Sequence, residues 1–253
     1  MRDKSAVPAS KTPSDAAGKA GAWVAPHSTA SEVAQFLKAA KSVDPAGSGR
    51  LIFSLDATLS RQPTWDSACQ IQASMFDAVA KTGNLAVQLV YFRGFGECRA
   101  SRFVLNASAL RTLMTTITCQ GGKTQIGKVL KHAVKETSKQ RVSALVYIGD
   151  AMEEDMDALC HEAGMLAMRS TRAFMFQEGS EPVTERTFRE IARLTGGAFF
   201  RLGPNSANEL AQLLAAIAVY ASGGRIALEA QGGRAHKLLL AQMSNHPAKD
   251  KPK

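Results

Sequence analysis

The chain has 253 residues and a mass of 27.0 kDa, enough for one large domain or a domain with added segments. At 45% hydrophobic and 21% charged residues it can bury a full core, which excludes a globally disordered chain. The net charge of +9 is uneven: residues 1–50 hold seven Lys or Arg against four Asp or Glu, residues 225–253 six against two, and residues 51–224 only 18 against 16. A nearly neutral middle argues against a groove that reads nucleic acid and leaves only weak, salt-sensitive contact through the basic ends.

Residues 1–28 are Ala, Ser, Lys, Pro and Gly with almost no large apolar group, the composition of a flexible tail. Residues 29–49 follow as an accessory helix and linker. Ser31 is placed to cap a helix over 31–41 with Val33, Phe36 and Leu37 on one face, and Pro45-Ala46-Gly47-Ser48-Gly49 breaks the chain. From Arg50 strand and helix alternate. Strands are predicted at 51–55, 85–92, 101–105, 144–148, 172–176 and 198–202, and helices at 65–82, 107–117, 125–139, 153–168, 183–195 and 206–222. The link from Arg93 to Arg99 is too short for a parallel crossover, so strands two and three form an antiparallel hairpin. Apolar strands of five or six residues separated by helices predict an α/β fold. It is a Rossmann-like, doubly wound, mostly parallel six-stranded sheet with one antiparallel edge strand and helices on both faces. Gly223-Gly224 and Gly232-Gly233 set off residues 223–253, expected to form a C-terminal helical appendage around Leu238–Leu240 and Met243, then a basic tail.

No apolar run is read as reaching the ~18–20 residues of a membrane span. No secretory signal is read at the N-terminus either, so the expected location is cytoplasmic. Cys69, Cys98, Cys119 and Cys160 lie far apart with no C-x-x-C pair, which argues against structural zinc and a disulfide framework.

Open parallel sheets bind ligands beyond the carboxyl ends of their strands, where strand order reverses. The first strand ends in Asp56-Ala57-Thr58-Leu59-Ser60 and the central strand in Gly149-Asp150. Between them in sequence, Gly121-Gly122-Lys123-Thr124 opens a helix. Two carboxylates and three hydroxyls on one sheet edge are hard oxygen donors that suit Mg²⁺ or Mn²⁺. The absence of His and Cys from these loops argues against zinc.

This arrangement resembles the von Willebrand factor A (vWA) domain and its metal-ion-dependent adhesion site, written D-x-S-x-S, a threonine in a glycine-rich loop, and an aspartate after the central strand. Asp56-x-Thr58-x-Ser60 matches with Thr for Ser. Thr124 in Gly-Gly-Lys-Thr fits the second element, with Lys123 departing from the small residue often found there. Asp150 fits the third, with Ala151 where glycine is common. The stretch Phe188–Phe200, with its Gly196-Gly197, matches the family's late helix–Gly-Gly–strand signature, and the resemblance covers residues 50–222. It implies a site in which Thr58, Ser60 and Thr124 supply hydroxyl oxygens to Mg²⁺ while Asp56 and Asp150 hold waters and balance charge. One coordination position is left for an Asp or Glu of a protein partner. Gly122, Lys123 and Ala151 would form the rim that meets the partner. The implied role is a cytoplasmic, Mg²⁺-dependent interaction module rather than an enzyme.

Other readings compete with this one. Asp56 at a first strand end faintly resembles the nucleophile of haloacid-dehalogenase-type phosphatases, but those carry a second aspartate where Thr58 stands. Some vWA-containing proteins bind RNA through added helical modules, yet the additions here are short and lack a stacking pattern. Glu153, Glu154, Asp155 and Asp157 read as the acidic first turn of a helix. Met152, Met156, Met165, Met168 and Met175 read as core packing, and His132 and His161 as ordinary helix positions.

Overall fold

The computed structural model describes residues 49–62, 85–105, 110, 112–114, 116–203 and 206–244. The expected tail at 1–28, the helices at 31–41 and 65–82, and the chain beyond Ser244 lie outside these residues, as does part of the helix expected at 107–117.

Six strands form one sheet: β1 (Gly49–Asp56), β2 (Leu85–Arg93), β3 (Glu97–Ala100), β4 (Ala144–Gly149), β5 (Arg172–Glu178) and β6 (Ala198–Leu202). They lie in the order β3-β2-β1-β4-β5-β6, and all neighbours are parallel except the β2–β3 pair. They are accompanied by a 3-10 turn at Leu59–Arg61 and by the helices α1 (Ile126–Lys139), α2 (Met156–Ala167), α3 (Pro182–Thr195), α4 (Ala207–Gln231) and α5 (Arg234–Ser244). The strands read as unbroken apolar runs because both sheet faces are covered. Leu51, Phe53 and Leu55 of β1 join Val146 and Ile148 of β4 under α4. The intervening Ile52 joins Leu145 and Tyr147 under α1, α2 and α3. The chain is thus a doubly wound, Rossmann-like α/β fold whose strand order reverses between β1 and β4.

The antiparallel edge sits earlier than expected. The hairpin turns over Gly94, Phe95 and Gly96, and both glycines take positive φ (59° and 111°). β3 therefore begins at Glu97 rather than Ser101. Glu97 reads as a loop residue, yet its carboxylate is buried and accepts from Tyr91 Oη at 3.2 Å and Arg93 Nε at 3.4 Å. Pairing does not end at Ala100. Val90 pairs with Ala100 but Val87 with Val104, one residue more on the edge side, and Ser101 Oγ accepts from Leu89 N at 3.0 Å across this bulge.

Three further expectations change. α2 starts at Met156 rather than 153, because Asp155 is the N-cap, its Oδ1 accepting from Ala158 N at 2.8 Å. Met175 is fully buried as expected of a core methionine, but Met168 is 76% exposed at the end of α2. Residues 207–231 are long and apolar enough to cross a membrane by length and composition, contrary to the sequence reading. Here that helix is a core element: Leu213, Leu214, Ile217 and Tyr220 are buried against the sheet. Gly224 (φ 69°) kinks it where the Gly223-Gly224 pair was read as a break. α5 then folds back, burying Leu239 and Met243 in the same core. Gln242 Oε1 accepts from Phe199 N on the outer edge of β6 at 3.0 Å.

Gly196 and Gly197 are explained by geometry. Gly196 ends α3 with φ 66°, and a side chain on Gly197 would lie 1.9 Å from Ala173 O.

Candidate functional site at the strand-order switch

β1 and β4 are parallel neighbours, so Asp56, the last residue of β1, and Asp150, the first after β4, emerge side by side at the switch point. Asp56 is fully buried. Its Oδ1 accepts from Thr58 N at 2.8 Å, turning the chain sharply so that Thr58 Oγ1 lies 3.0 Å from Ser60 Oγ. Its other oxygen, Oδ2, is buried without a hydrogen-bond partner, and so is Asp150 Oδ1. Such atoms are rare because leaving one unmet costs about 1–3 kcal/mol, more for a charged group. Burial pushes the Asp56 carboxyl up to about 6; the bonds to Thr58 pull it down, the Asp150 charge raises it, and the Arg61 charge lowers it.

Thr124 arrives through a laced set of loops. Ala57 N donates to Phe92 O and Gln120 N to Ala57 O, each at 3.0 Å, so the β1 loop lies between the hairpin and the 118–125 segment. Gly122 backs directly onto the hairpin: a side chain there would fall 2.0 Å from Gly94 O. Thr124 is buried, and its Oγ1 accepts from Glu153 N at 3.1 Å, while its own N–H donates to Glu153 Oε2 at 3.4 Å. Ser60 and Lys123 are exposed, and Gly122, Asp150 and Ala151 are partly so. The fold therefore brings Asp56, Thr58, Ser60, Thr124 and Asp150 to one edge, with Gly122, Lys123 and Ala151 around them.

Four residues that the sequence reading did not assign to the site matter here. Glu153 and Glu154 are not in the first turn of α2. Glu154 accepts from Ile126 N and from Gly127 N (2.9 Å), so these carboxylates grip the start of α1 and fix the loop carrying Thr124. Burial raises the Glu154 carboxyl above its ordinary range. Tyr147 is fully buried on the sheet face that carries Asp56, stacked on Phe92 and edge-on to Phe188, and its hydroxyl has no hydrogen-bond partner. Burial pushes that phenol well above its ordinary value, and the Asp56 charge adds to this. Arg61, fully buried, pairs with Glu178 at the end of β5 (3.0 Å), crossing the position of β4 in the sheet order. A polar-tipped Tyr within Ala-Leu-Val-Tyr-Ile-Gly, and an Arg five residues after Asp56, were the available signals.

The residues fit a hard divalent cation. Two buried carboxylate oxygens without a partner, Asp56 Oδ2 and Asp150 Oδ1, and the Thr58 and Ser60 hydroxyls, 3.0 Å apart, are hard oxygen donors at this edge; among the described residues no group of three or more His, Cys, Asp or Glu side chains is placed to hold a metal ion.

No family model and no curated protein matches the sequence. Solved structures do match the fold. The chain is similar to a von Willebrand factor type A protein from Catenulispora acidiphila (TM-score 0.58, 15% identity), over 70% of this chain and 43% of that one. It is similar also to the vWF domain of the type V pili tip protein Mfa5 from Porphyromonas gingivalis (TM-score 0.56, 10% identity), over 68% and 96%. The SpRpn10 VWA domain matches at TM-score 0.53 and 11% identity, over 65% and 94%. The match thus spans less than half of the Catenulispora protein but nearly all of the two isolated domains. The Rossmann-like architecture is, more narrowly, the vWA fold.

Proposed function

We propose that this edge is a Mg²⁺-dependent (or Mn²⁺-dependent) docking site for a protein partner, with Asp56, Thr58, Ser60, Thr124 and Asp150 holding the cation and a partner Asp or Glu completing its shell. The observation that carries it is the pair of buried, unmet oxygens, Asp56 Oδ2 and Asp150 Oδ1, at the switch point. The cation would supply the positive charge that draws in a partner carboxylate. The chain's own part is to position and to neutralise. Asp56 and Asp150 would balance its charge, and Thr58 and Ser60, whose hydroxyls lie 3.0 Å apart, would offer it oxygen. Glu153 holds Thr124 in place. Gly122, Lys123 and Ala151 border the opening, where Lys123 favours an acidic approach. A pilus tip protein among the structural neighbours fits an adhesive role for the fold. A cytoplasmic adaptor is the form of that role we propose.

The test is thermal. Mg²⁺ at ten times its dissociation constant stabilises by about 1.4 kcal/mol, a readable rise in Tm. The wild type should show it, and Asp56→Ala and Asp150→Ala should not. A wild type that gives no rise with Mg²⁺ or Mn²⁺, alone or with an acidic peptide present, would end the proposal.

A further inference from the structure

The near neutrality of residues 51–224 is an average over stretches of opposite sign. Residues 85–142 carry ten Lys or Arg against two Asp or Glu, and residues 143–224 six against eleven. The fold lines up part of the basic stretch on one surface. On α1, Lys128, Lys131, Lys135 and Lys139 are exposed and recur every three or four residues, which makes a single stripe about 16 Å long. It lies opposite Ile126, Val129, Leu130 and Ala133, the side of α1 buried against the sheet. Arg141 follows, exposed, and Arg169 at the end of α2 donates from Nε to Ser138 Oγ at 3.0 Å, adding a guanidinium beside that end.

The two carboxylates of residues 85–142 cancel little of this charge at the surface. Glu97 is buried against Tyr91 and Arg93, and Glu136 pairs with the buried Arg50 (3.7 Å) as well as with Lys139 (2.6 Å). Glu153 and Glu154 meet α1 at its start, bonded to Thr124 N, Ile126 N and Gly127 N, so the stripe leads away from the acidic switch edge. Beside Lys128 stands an aromatic ring that the core does not use. Phe95 is 68% exposed in the β2–β3 turn, yet the backbone on both sides of it is tied down. Lys128 Nζ donates to Gly96 O at 2.8 Å, Gln125 Nε2 to Arg93 O at 3.2 Å and to Gly94 O at 3.3 Å.

A row of single positive charges that ends at a held, exposed aromatic fits a chain whose repeat is one negative charge and one flat ring. A bilayer fits less well, because a basic helix that binds lipid lays its apolar face into it, and that face of α1 is already in the core. An acidic peptide would meet the lysines but brings no repeated ring to Phe95.

We propose that this face binds single-stranded nucleic acid without regard to sequence, its phosphates running along Lys128, Lys131 and Lys135 and a base stacked on Phe95. The track needs no metal and is independent of the docking site proposed above.

Fluorescence anisotropy of the full chain with labelled oligo-dT or oligo-U of about twelve nucleotides, in chelator and across a salt series, tests this. Binding of either strand upholds the proposal, and the tighter one identifies the sugar of the natural strand. The Lys131→Gln/Lys135→Gln variant should lower the slope of log affinity against log salt by about 1.4, two phosphates' worth, with Tm unchanged. Phe95→Ser should weaken binding at least tenfold, about 1.4 kcal/mol, and leave the slope as it was. An unchanged slope in the lysine variant overturns the proposal, because the contact would then lie in the basic ends. Full affinity in Phe95→Ser overturns it as well, as does displacement of the oligonucleotide by poly-glutamate or phosphatidylserine vesicles at equal charge, since the face would then take acidic protein or lipid. No binding of either strand at low salt ends it outright.

Discussion

Asp56 offers a measurement in which the metal-free and metal-bound proteins should respond in opposite directions. Its carboxyl, ordinarily at 3.8, is pushed up to about 6 by burial. Below 3.8 the folded and unfolded chains are both protonated there, and Asp56 leaves stability unchanged. As pH rises, the unfolded chain loses its proton first, so stability falls until the folded carboxyl also ionises near 6; above that the loss is constant. The gap corresponds to about 3 kcal/mol. Asp56→Asn keeps the acceptor for Thr58 N but cannot ionise. In chelator at pH 7.5 it should therefore be more stable than the wild type by up to about 3 kcal/mol, roughly 6–12 °C in Tm for a domain of this size. At pH 3.5 the difference should vanish. With saturating Mg²⁺ the order should reverse, since only the wild type gains from the cation. Urea unfolding and calorimetry at the two pH values, with and without Mg²⁺, give all four numbers. A variant that is destabilised equally at both pH values would refute the reasoning, because Asp56 would then act through shape rather than charge.

Arg61→Met should cost about 3 kcal/mol by leaving Glu178 without its buried partner, whereas the Arg61→Met/Glu178→Met double variant should recover most of that in urea unfolding. Glu154→Ala strips Ile126 N and Gly127 N of their acceptor and should cost about 1–2 kcal/mol; Glu154→Gln should cost less, and Mg²⁺ titration should show weaker binding in the Ala variant because the Thr124 loop loosens. Gly122→Ala forces a methyl against Gly94 O, backbone on backbone. We expect about 1–3 kcal/mol of destabilisation by calorimetry and a smaller Mg²⁺ response. Mg²⁺ affinity in the wild type should fall about tenfold from pH 7 to pH 5, as the Asp56 proton competes with the cation; calorimetric titration at the two pH values reads it directly.

The sheet was legible because burial on both faces writes each parallel strand as a continuous apolar run, and β1, β4, β5 and β6 carry that signal plainly. Asp56 and Asp150 were legible because strand ends at a switch point are where polar side chains gather. What escaped were the partnerships made across the fold. Glu153 and Glu154 look like the opening of their own helix and instead hold the start of another, 27 to 29 residues away in sequence. Glu97 reads as turn until Tyr91 and Arg93 are seen to close over it, and that hidden pairing displaced the expected start of β3. Arg61 looks like any loop arginine; only the parallel order β1-β4-β5 brings Glu178 to it. The 207–231 helix shows the reverse failure, since an apolar composition compatible with lipid is here covered by a sheet.

The bond between Gln242 and Phe199 N has a use beyond stability. β6 is the last strand of the sheet, and an open border of that kind invites a strand from elsewhere to add on. A side-chain amide reaching over from α5 occupies one of the main-chain donors such an intruder would need, while Leu239 and Met243 cover the neighbouring apolar strip. Cutting the chain after Ser222 would lift that guard, and the shortened protein should associate border to border rather than merely melt earlier.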